Sequence, residues 1–324
     1  MLRRIAVAVG VLICFCLACP MLIMAKDYPE RGIEFVIPWP PGGPADIIGR
    51  IFANELGKNL KVPVTPVNKP GASATIGGTY VYKSKKDGYT LLCGTLGWLL
   101  GSVTLEEVIY DPVRDFIPIA KIGTSPHGIV VKADSPIRDL GELIDRAKKN
   151  HGALSIGTAG TSSDGHFNIE ILQKAAGIKI KHVPFKGGGE IPPAILGGHV
   201  DAGIGVTNSW FPFVKAGSIR MLAITGEKRM NDLPDVATLK EKGFKENFLD
   251  NWVGFLAPAG VPKDVVKTLE QASGKILKNK GYVENVEKTA SVVEFMTAAD
   301  YAKMIQMHRN LAEGIAKDVG LKKK

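Results

Sequence analysis

The chain has 324 residues, 45% of them hydrophobic, with 41 Lys and Arg against 32 Asp and Glu and a formal net charge of +9. That length allows one large core or two domains. The basic residues are dispersed, at Lys83, Lys85 and Lys86, at Lys148 and Lys149, and at Lys322, Lys323 and Lys324, with no aromatic residues between them. They read as solvated surface and exclude a single-strand nucleic-acid groove.

Met1 to Ala25 has the pattern of a secretory signal peptide. Arg3 and Arg4 precede an uncharged apolar run, Ile5 to Met24, and Ile23-Met24-Ala25 is an acceptable cleavage site. Removing the two arginines lowers the net charge by two. The expected location is periplasmic, which again argues against nucleic acid. Two alternatives stay open. Leu17-Ala18-Cys19 hints at lipid attachment to Cys19, although Cys16 fits poorly three positions earlier, and the apolar run is long enough for a retained anchor. Cys14, Cys16 and Cys19 all lie here, leaving only Cys93 beyond it, so no internal disulfide is expected.

Ile33-Glu34-Phe35-Val36-Ile37 reads as a buried strand, stopped by Pro38, Pro40 and Pro41. Gly42 and Gly43 allow a sharp turn, and Pro44 suits the first position of a helix. Ile47, Ile48, Ile51, Phe52, Leu56 and Leu60 then recur at helical spacing. A helix N-terminus at the end of a buried strand attracts an anion, and a carboxylate is the natural guest. An ordinary water-capped turn is the competing reading.

Strand and helix signals then alternate. Val62 to Val67 is followed by the loop Asn68 to Ala72, a helix from about Ser73 to Lys83, and a strand from Tyr89 to Cys93 ending in the polar loop Gly94-Thr95-Leu96-Gly97-Trp98. Ile117 to Ile122 leads into His127 to Val131. A helix around Leu140 to Ala147 precedes the strand Leu154 to Ile156, the loop Gly157 to His166, and a helix through Phe167, Ile171, Leu172 and Ala175. Lys181 to Phe185 ends in Lys186-Gly187-Gly188-Gly189, a short helix carries Ile195 and Leu196, and Val200 to Val206 ends in Thr207-Asn208-Ser209. After a helix to Lys215 and the strand Arg220 to Thr225, Trp252 to Leu256 reads as a late strand. The last section is mostly helical, over about Lys263–Asn279 and Ala298–Val319. This alternation predicts an α/β fold with helices on both sheet faces and ligands beyond the strand ends. The glycine-rich and polar strand ends predict a cleft lined by hydrogen-bond donors.

Signals for catalysis are weak. The six histidines have no close partner and there is no CxxC, so neither a metal nor a cofactor is expected. Gly160-Thr161-Ser162-Ser163-Asp164 resembles a nucleophile elbow but ends in Asp164 where glycine is required. A hydrolase using Ser162 or Cys93 with His166 as base is therefore the alternative class, against which an inert strand cysteine is the simpler reading. His166 and Lys186 are candidate partners for a ligand carboxylate. Trp39, Trp98 and Trp210 sit beside polar loops and could wall a pocket.

An ordered set of stretches carries a specific resemblance. They are Val36 to Asp46, Val67-Asn68-Lys69-Pro70-Gly71-Ala72, Asp87 to Leu92, Tyr110 to Phe116, His182 to Gly187, Leu196 to Ala202, and Val214-Lys215-Ala216-Gly217. In these the chain resembles the extracytoplasmic solute receptors of the tripartite tricarboxylate transporter family, the Bug receptors. The resemblance implies a type II-like periplasmic-binding fold of two lobes, each a mixed sheet flanked by helices, around a ligand cleft. The expected boundaries are 26–124 and 253–324 for lobe 1 and 125–252 for lobe 2. The crossings are placed near Thr124 to His127 and near Trp252 to Leu256, with Ala223 as an alternative for the second. It implies a receptor, not an enzyme, that captures a small carboxylate and passes it to membrane transporter subunits, with a signalling partner as the alternative. A monomer is expected. The loop from Trp39 through Gly42, Gly43, Pro44, Ala45 and Asp46 would receive the carboxylate. Thr95, Trp98, Thr161, Ser162, Ser163, His166, Lys186 and Asn208 would complete the site. Gly165 and Gly205 stand where the family often has threonine and Asp or Asn. The expectation is that both leave room and remove a polar group, so the distal ligand end differs from that of amino-acid or short diacid binders. With Trp39 and Trp98 this points to a bulkier or aromatic carboxylate, a di- or tricarboxylate staying open.

Overall fold

A computed structural model describes residues 28–105, 108–318 and 320–321. The signal segment 1–25, with Cys19, lies outside the described residues, as do Lys322 to Lys324. Ten strands are described: β1 (Ile33–Ile37), β2 (Val64–Asn68), β3 (Thr90–Thr95), β4 (Phe116–Ser125), β5 (His127–Lys132), β6 (Ser155–Thr158), β7 (Lys181–Pro184), β8 (Ala202–Val206), β9 (Ile219–Ile224) and β10 (Asn251–Pro258). The α-helices are α1 (Pro44–Leu60), α2 (Thr75–Lys83), α3 (Leu96–Thr104), α4 (Leu140–Lys149), α5 (Asp164–Ala176), α6 (Ile191–Leu196), α7 (Thr207–Lys215), α8 (Lys263–Leu277), α9 (Lys280–Glu287) and α10 (Ala298–Asp318).

The strands form two five-stranded sheets, ordered β2-β1-β3-β10-β4 and β7-β6-β8-β5-β9. Both are mixed. In the first, β2, β1 and β3 run parallel, and β10 is antiparallel to β3 and β4. In the second, β7, β6 and β8 run parallel, and β5 is antiparallel to β8 and β9. Alternation along the strands decides which core each residue joins, because successive side chains point to opposite faces. In β1, Ile33, Phe35 and Ile37 enter one apolar cluster while Val36 enters the other. In β5, Ile129 and Val131 face one cluster of the second lobe and Val130 faces the other.

Two connections pass between the lobes. The chain leaves the first sheet at Ser125, and His127 already belongs to the second. After β9 the chain stays with the second lobe, where Leu239 joins its core, and returns to the first sheet at Asn251. A later stretch touches the same junction and was not legible in the sequence. Thr124 and Val292 exchange two 2.8 Å backbone hydrogen bonds, and the Ser125 and Ser291 hydroxyls lie 2.8 Å apart.

Two local readings are corrected. Gly94 to Trp98 is not a loop, because β3 runs through Thr95 and α3 begins at Leu96. The Thr95 hydroxyl makes this abrupt start workable by accepting from Trp98 N at 3.1 Å, a side-chain N-cap. The stretch after Asn279 also carries a separate helix, α9, capped by Asn279 accepting from Tyr282 N at 3.2 Å.

Gly254 lies mid-strand in β10, where a Cβ would overlap the Tyr301 phenol, whose buried hydroxyl has no hydrogen-bond partner. Gly254→Ala is expected to destabilise the protein by about 3 kcal/mol through overpacking. Tyr301→Phe is expected to be near neutral, because it removes an unsatisfied polar group. Urea denaturation of both variants checks this, and the double variant should recover part of the loss.

Candidate ligand cleft

Four strands of the two sheets end beside one another, and each leads into a helix, β3 and β8 directly and β1 and β6 through a short loop. In lobe 1, β1 feeds α1 and β3 feeds α3; in lobe 2, β6 feeds α5 and β8 feeds α7. Between these ends lies a cavity of about 770 Å³ lined from both lobes. Its lobe 1 wall holds Trp39, Gly42, Gly43, Pro44, Ala45 and Thr95. Its lobe 2 wall holds Thr161, Ser162, Ser163 and Lys186. Helix N-termini carry unpaired N–H groups and the positive end of the helix dipole, so the gap favours an anion.

The lobe 1 wall is held by a compact network. Gly42 takes φ +84°, a conformation that costs glycine little. Its N–H donates to Asp46 Oδ2 at 2.9 Å. The Asp46 carboxylate also accepts from Arg50 Nε at 2.9 and 3.0 Å and from Asn68 Nδ2 at 2.8 Å. Asn68 Nδ2 reaches the Trp39 carbonyl at 2.9 Å as well. Burial pushes the Asp46 pKa up, but the bonds from Arg50, Asn68 and Gly42 outweigh it and hold the carboxyl below its ordinary range. The Asp46 side chain thus shapes the loop and does not line the cavity. The first helical bond runs from Ile47 N to Gly43 O at 3.0 Å, so the N–H groups of Ala45 and Asp46 have no acceptor within the helix. Thr95 Oγ1 accepts from Trp39 Nε1 at 2.9 Å and from Trp98 N, which leaves its own O–H to donate into the cavity it lines.

On the lobe 2 wall, Ser163 caps α5 by accepting from His166 N at 3.2 Å. Ser162 takes φ +65° and donates its N–H to His166 Nδ1 at 3.2 Å. His166 itself is buried, stacked on His182 with ring centroids 3.9 Å apart, and off the cavity wall. It is a positioning residue for the Thr161 to Ser163 loop, not a wall residue as expected. Burial, then the neighbouring His166, pushes the His182 pKa down to about 4. Asp164, which also lines the cavity, lies 3.1 Å from His127 Nε2 in an ion-pair contact with no hydrogen bond formed. Burial favours the neutral forms of both, but their mutual attraction prevails, lowering the Asp164 pKa and raising that of His127. Lys186 is the one basic side chain on the wall among the described residues, beside the N–H-rich run Gly187 to Gly189.

Three further expectations are corrected. Trp98 is fully buried in the lobe 1 core, stacked on Tyr110 at 6.0 Å and edge-on to Phe116 at 5.0 Å. Asn208 lies off the wall, its Oδ1 buried without a partner. Gly205 lines the cavity, but at neither Gly205 nor Gly165 does the missing side chain itself leave a free space. A Cβ at 205 would stand 2.9 Å from the Trp210 ring, which covers this strand end and donates Nε1–H to Gly205 O at 2.7 Å. A Cβ at 165 would stand 2.9 Å from Ile204 O. Wall residues absent from the expected site include Asp164 and Ser209, which lie in loops the sequence marks as polar strand ends, and Ser73 before α2 and Asn251 at the lobe junction, whose Oδ1 is buried and unpartnered. For Ser73 and Asn251 there is no local sign.

The hydrolase geometry is absent at the proposed residues. Cys93 is fully buried, its Sγ 3.8 Å from Ala45 O, and burial pushes its thiol pKa far up. Ser162 contacts His166 through its backbone N–H, while its hydroxyl makes no bond to the ring.

Asp46→Asn keeps the shape of the clamp and removes its charge. The expected loss is about 2 kcal/mol, the scale of hydrogen bonds to a charged group. Because the folded pKa lies below the ordinary 3.8, this stabilisation is complete above that value and is lost as pH falls through the lowered folded pKa. Denaturation of both proteins between pH 7 and pH 2 should show the gap closing at the acid end.

The tripartite tricarboxylate transporter family receptor model matches residues 48–321. The BugT protein of Bordetella pertussis is 30% identical over 286 residues, 87% of each chain. Among solved structures, an R. palustris protein with adipate superposes with a TM-score of 0.79 at 27% identity, covering 91% of this chain and 99% of that one. The malate-bound MatC of Rhodopseudomonas palustris gives 0.75 at 26% identity, covering 89% and 99%. The chain belongs to the receptor family of the tripartite tricarboxylate transporters, the Bug-type periplasmic solute-binding proteins.

Proposed function

We propose that this protein is a monomeric periplasmic receptor that binds a small carboxylate between its lobes and delivers it to the membrane subunits of a tripartite tricarboxylate-type transporter. The observation that carries this reading is the convergence of the Gly43–Ala45 helix start, Thr95 and the Thr161–Ser163 loop on one cavity. One carboxylate sits at the start of α1, held by the Ala45 and Asp46 N–H groups and by Thr95. Trp39 walls its side. The distal end meets the hydroxyls of Thr161, Ser162 and Ser163 and the Lys186 ammonium.

Donors at both ends favour a di- or tricarboxylate over an aromatic monocarboxylate. The missing side chain at Gly205 adds no space for an aromatic ring, because Trp210 stands where its Cβ would be. Relatives of this fold hold adipate and malate, both aliphatic diacids, which supports the same choice. Closure around the ligand follows because the closed form makes contacts with both walls at once.

A thermal-shift series with adipate, malate, citrate and benzoate on residues 26–324 tests this. The expected result is a saturable rise in midpoint with at least one diacid or triacid, no product formed, and no rise with benzoate. Thr95→Val should weaken that ligand about ten- to a hundredfold, the scale of one hydrogen bond to a charged group. A shift with benzoate alone contradicts the diacid reading, and turnover of a bound ester contradicts the receptor reading.

A further inference from the structure

The crossing strands have a second cavity on their other side. Asn251 lines the ligand cleft, whereas its neighbours Asp250 and Trp252 line a separate cavity of about 520 Å³, as strand alternation requires. Thr124 of β4 lines the same cavity. Lobe 2 contributes Leu239 and Phe244, and lobe 1 contributes Met296 and Met304. The volume is in the range of small-molecule sites. The lining mixes these apolar side chains with polar and charged ones, including Glu227, Lys240, Lys245 and Glu246.

The inner end is a built polar site. Thr124 is 2% exposed and its Oγ1 has no hydrogen-bond partner. His308 accepts from Trp252 Nε1 at its Nδ1, at 3.0 Å. Burial and then the Lys121 charge push its pKa down to about 4, so the ring is neutral and its proton resides on Nε2, a free donor. Lysines and carboxylates pair along this wall, Lys240 Nζ lying 2.7 Å from Glu227 Oε2. Lys121, 4% exposed, donates to Glu294 Oε2 at 2.6 Å. Asp250 accepts from Thr225 Oγ1, and burial raises its pKa. An added anion would face Glu294 and Asp250, and an added cation would face Lys121. A neutral hydroxyl would meet Thr124 and His308 with no charge to desolvate.

We propose that this back cavity is a second ligand site, taking a small uncharged molecule with an apolar ring and one hydroxyl, of the phenol class, and that its occupation favours the closed cleft. The sign of the coupling follows from placement. The two cavities lie on opposite faces of the same crossing strands, so a rotation that opens one narrows the other. A molecule filling the back cavity resists its narrowing and therefore resists opening of the cleft.

Phenol is the probe. It is titrated into residues 26–324 with the cleft empty, over the range in which circular dichroism stays native. The Trp252 indole ¹H–¹⁵N resonance reports occupancy, and small-angle X-ray scattering reports lobe separation. The expected result is a saturable shift at Trp252, a fall in radius of gyration with the same midpoint, and affinity weakened about three- to tenfold in Thr124→Val, the scale of one neutral hydrogen bond. That variant removes an unpartnered hydroxyl and keeps the side-chain shape, so its fold is expected to be intact. Three results overturn the proposal: no saturable shift at Trp252, equal affinity in Thr124→Val, or saturation with an unchanged radius of gyration.

Discussion

The cleft depends on where one carboxylate points. Asp46 stands in the first turn of α1, where a bare negative charge would occupy the field that an incoming carboxylate needs. Instead it folds back onto Gly42 N, Arg50 and Asn68. Arg50 balances its charge and Gly42 is pinned in its turn. The N–H groups of Ala45 and Asp46 are left without an acceptor in the helix, at the end of α1 that borders the gap. Asn68 extends the clamp to the Trp39 carbonyl, and Trp39 in turn donates to Thr95. The loop, the aromatic wall and the start of α3 are therefore one hydrogen-bonded unit, and a change at Asp46 reaches all three.

The lobe 2 wall uses the same device with other groups. His166 holds Ser162 in its positive-φ conformation, Ser163 caps α5, and the Asp164 charge is balanced by His127. His127 is the first residue past the crossing from lobe 1, so the charge balance of this wall is anchored at the junction itself. Asn251 reaches the cleft from the other crossing. The wall and the hinge share residues, which is how a ligand contact can bias lobe closure.

Much of this was legible in the sequence, and the remainder fails for identifiable reasons. The Pro and Gly run after Ile37 marks the start of α1 because those residues restrict the backbone locally, and local restrictions are written in local sequence. The α/β pattern is legible for the same reason. Which way a side chain faces is decided by distant packing. Trp98 follows a polar strand end like Trp39, but Tyr110 and Phe116 draw it into the core. His166 follows a polar loop, but it turns to its backbone and to His182. Gly205 reads as space until Trp210, five residues on, is seen to fill it. Asn251 and Ser73 carry no local signal, because their place on the wall comes from the meeting of segments far apart in the chain.

Recognition turns on a ligand carboxylate held at the start of α1. The most direct measurement is a ¹⁵N amide titration of residues 26–324 with adipate and with malate. The account predicts that saturation moves the Ala45 and Asp46 amides downfield, as N–H groups do on bonding to an anion, with smaller shifts at Thr161 to Ser163. Saturable binding that leaves the Gly43, Ala45 and Asp46 amides unmoved would contradict it.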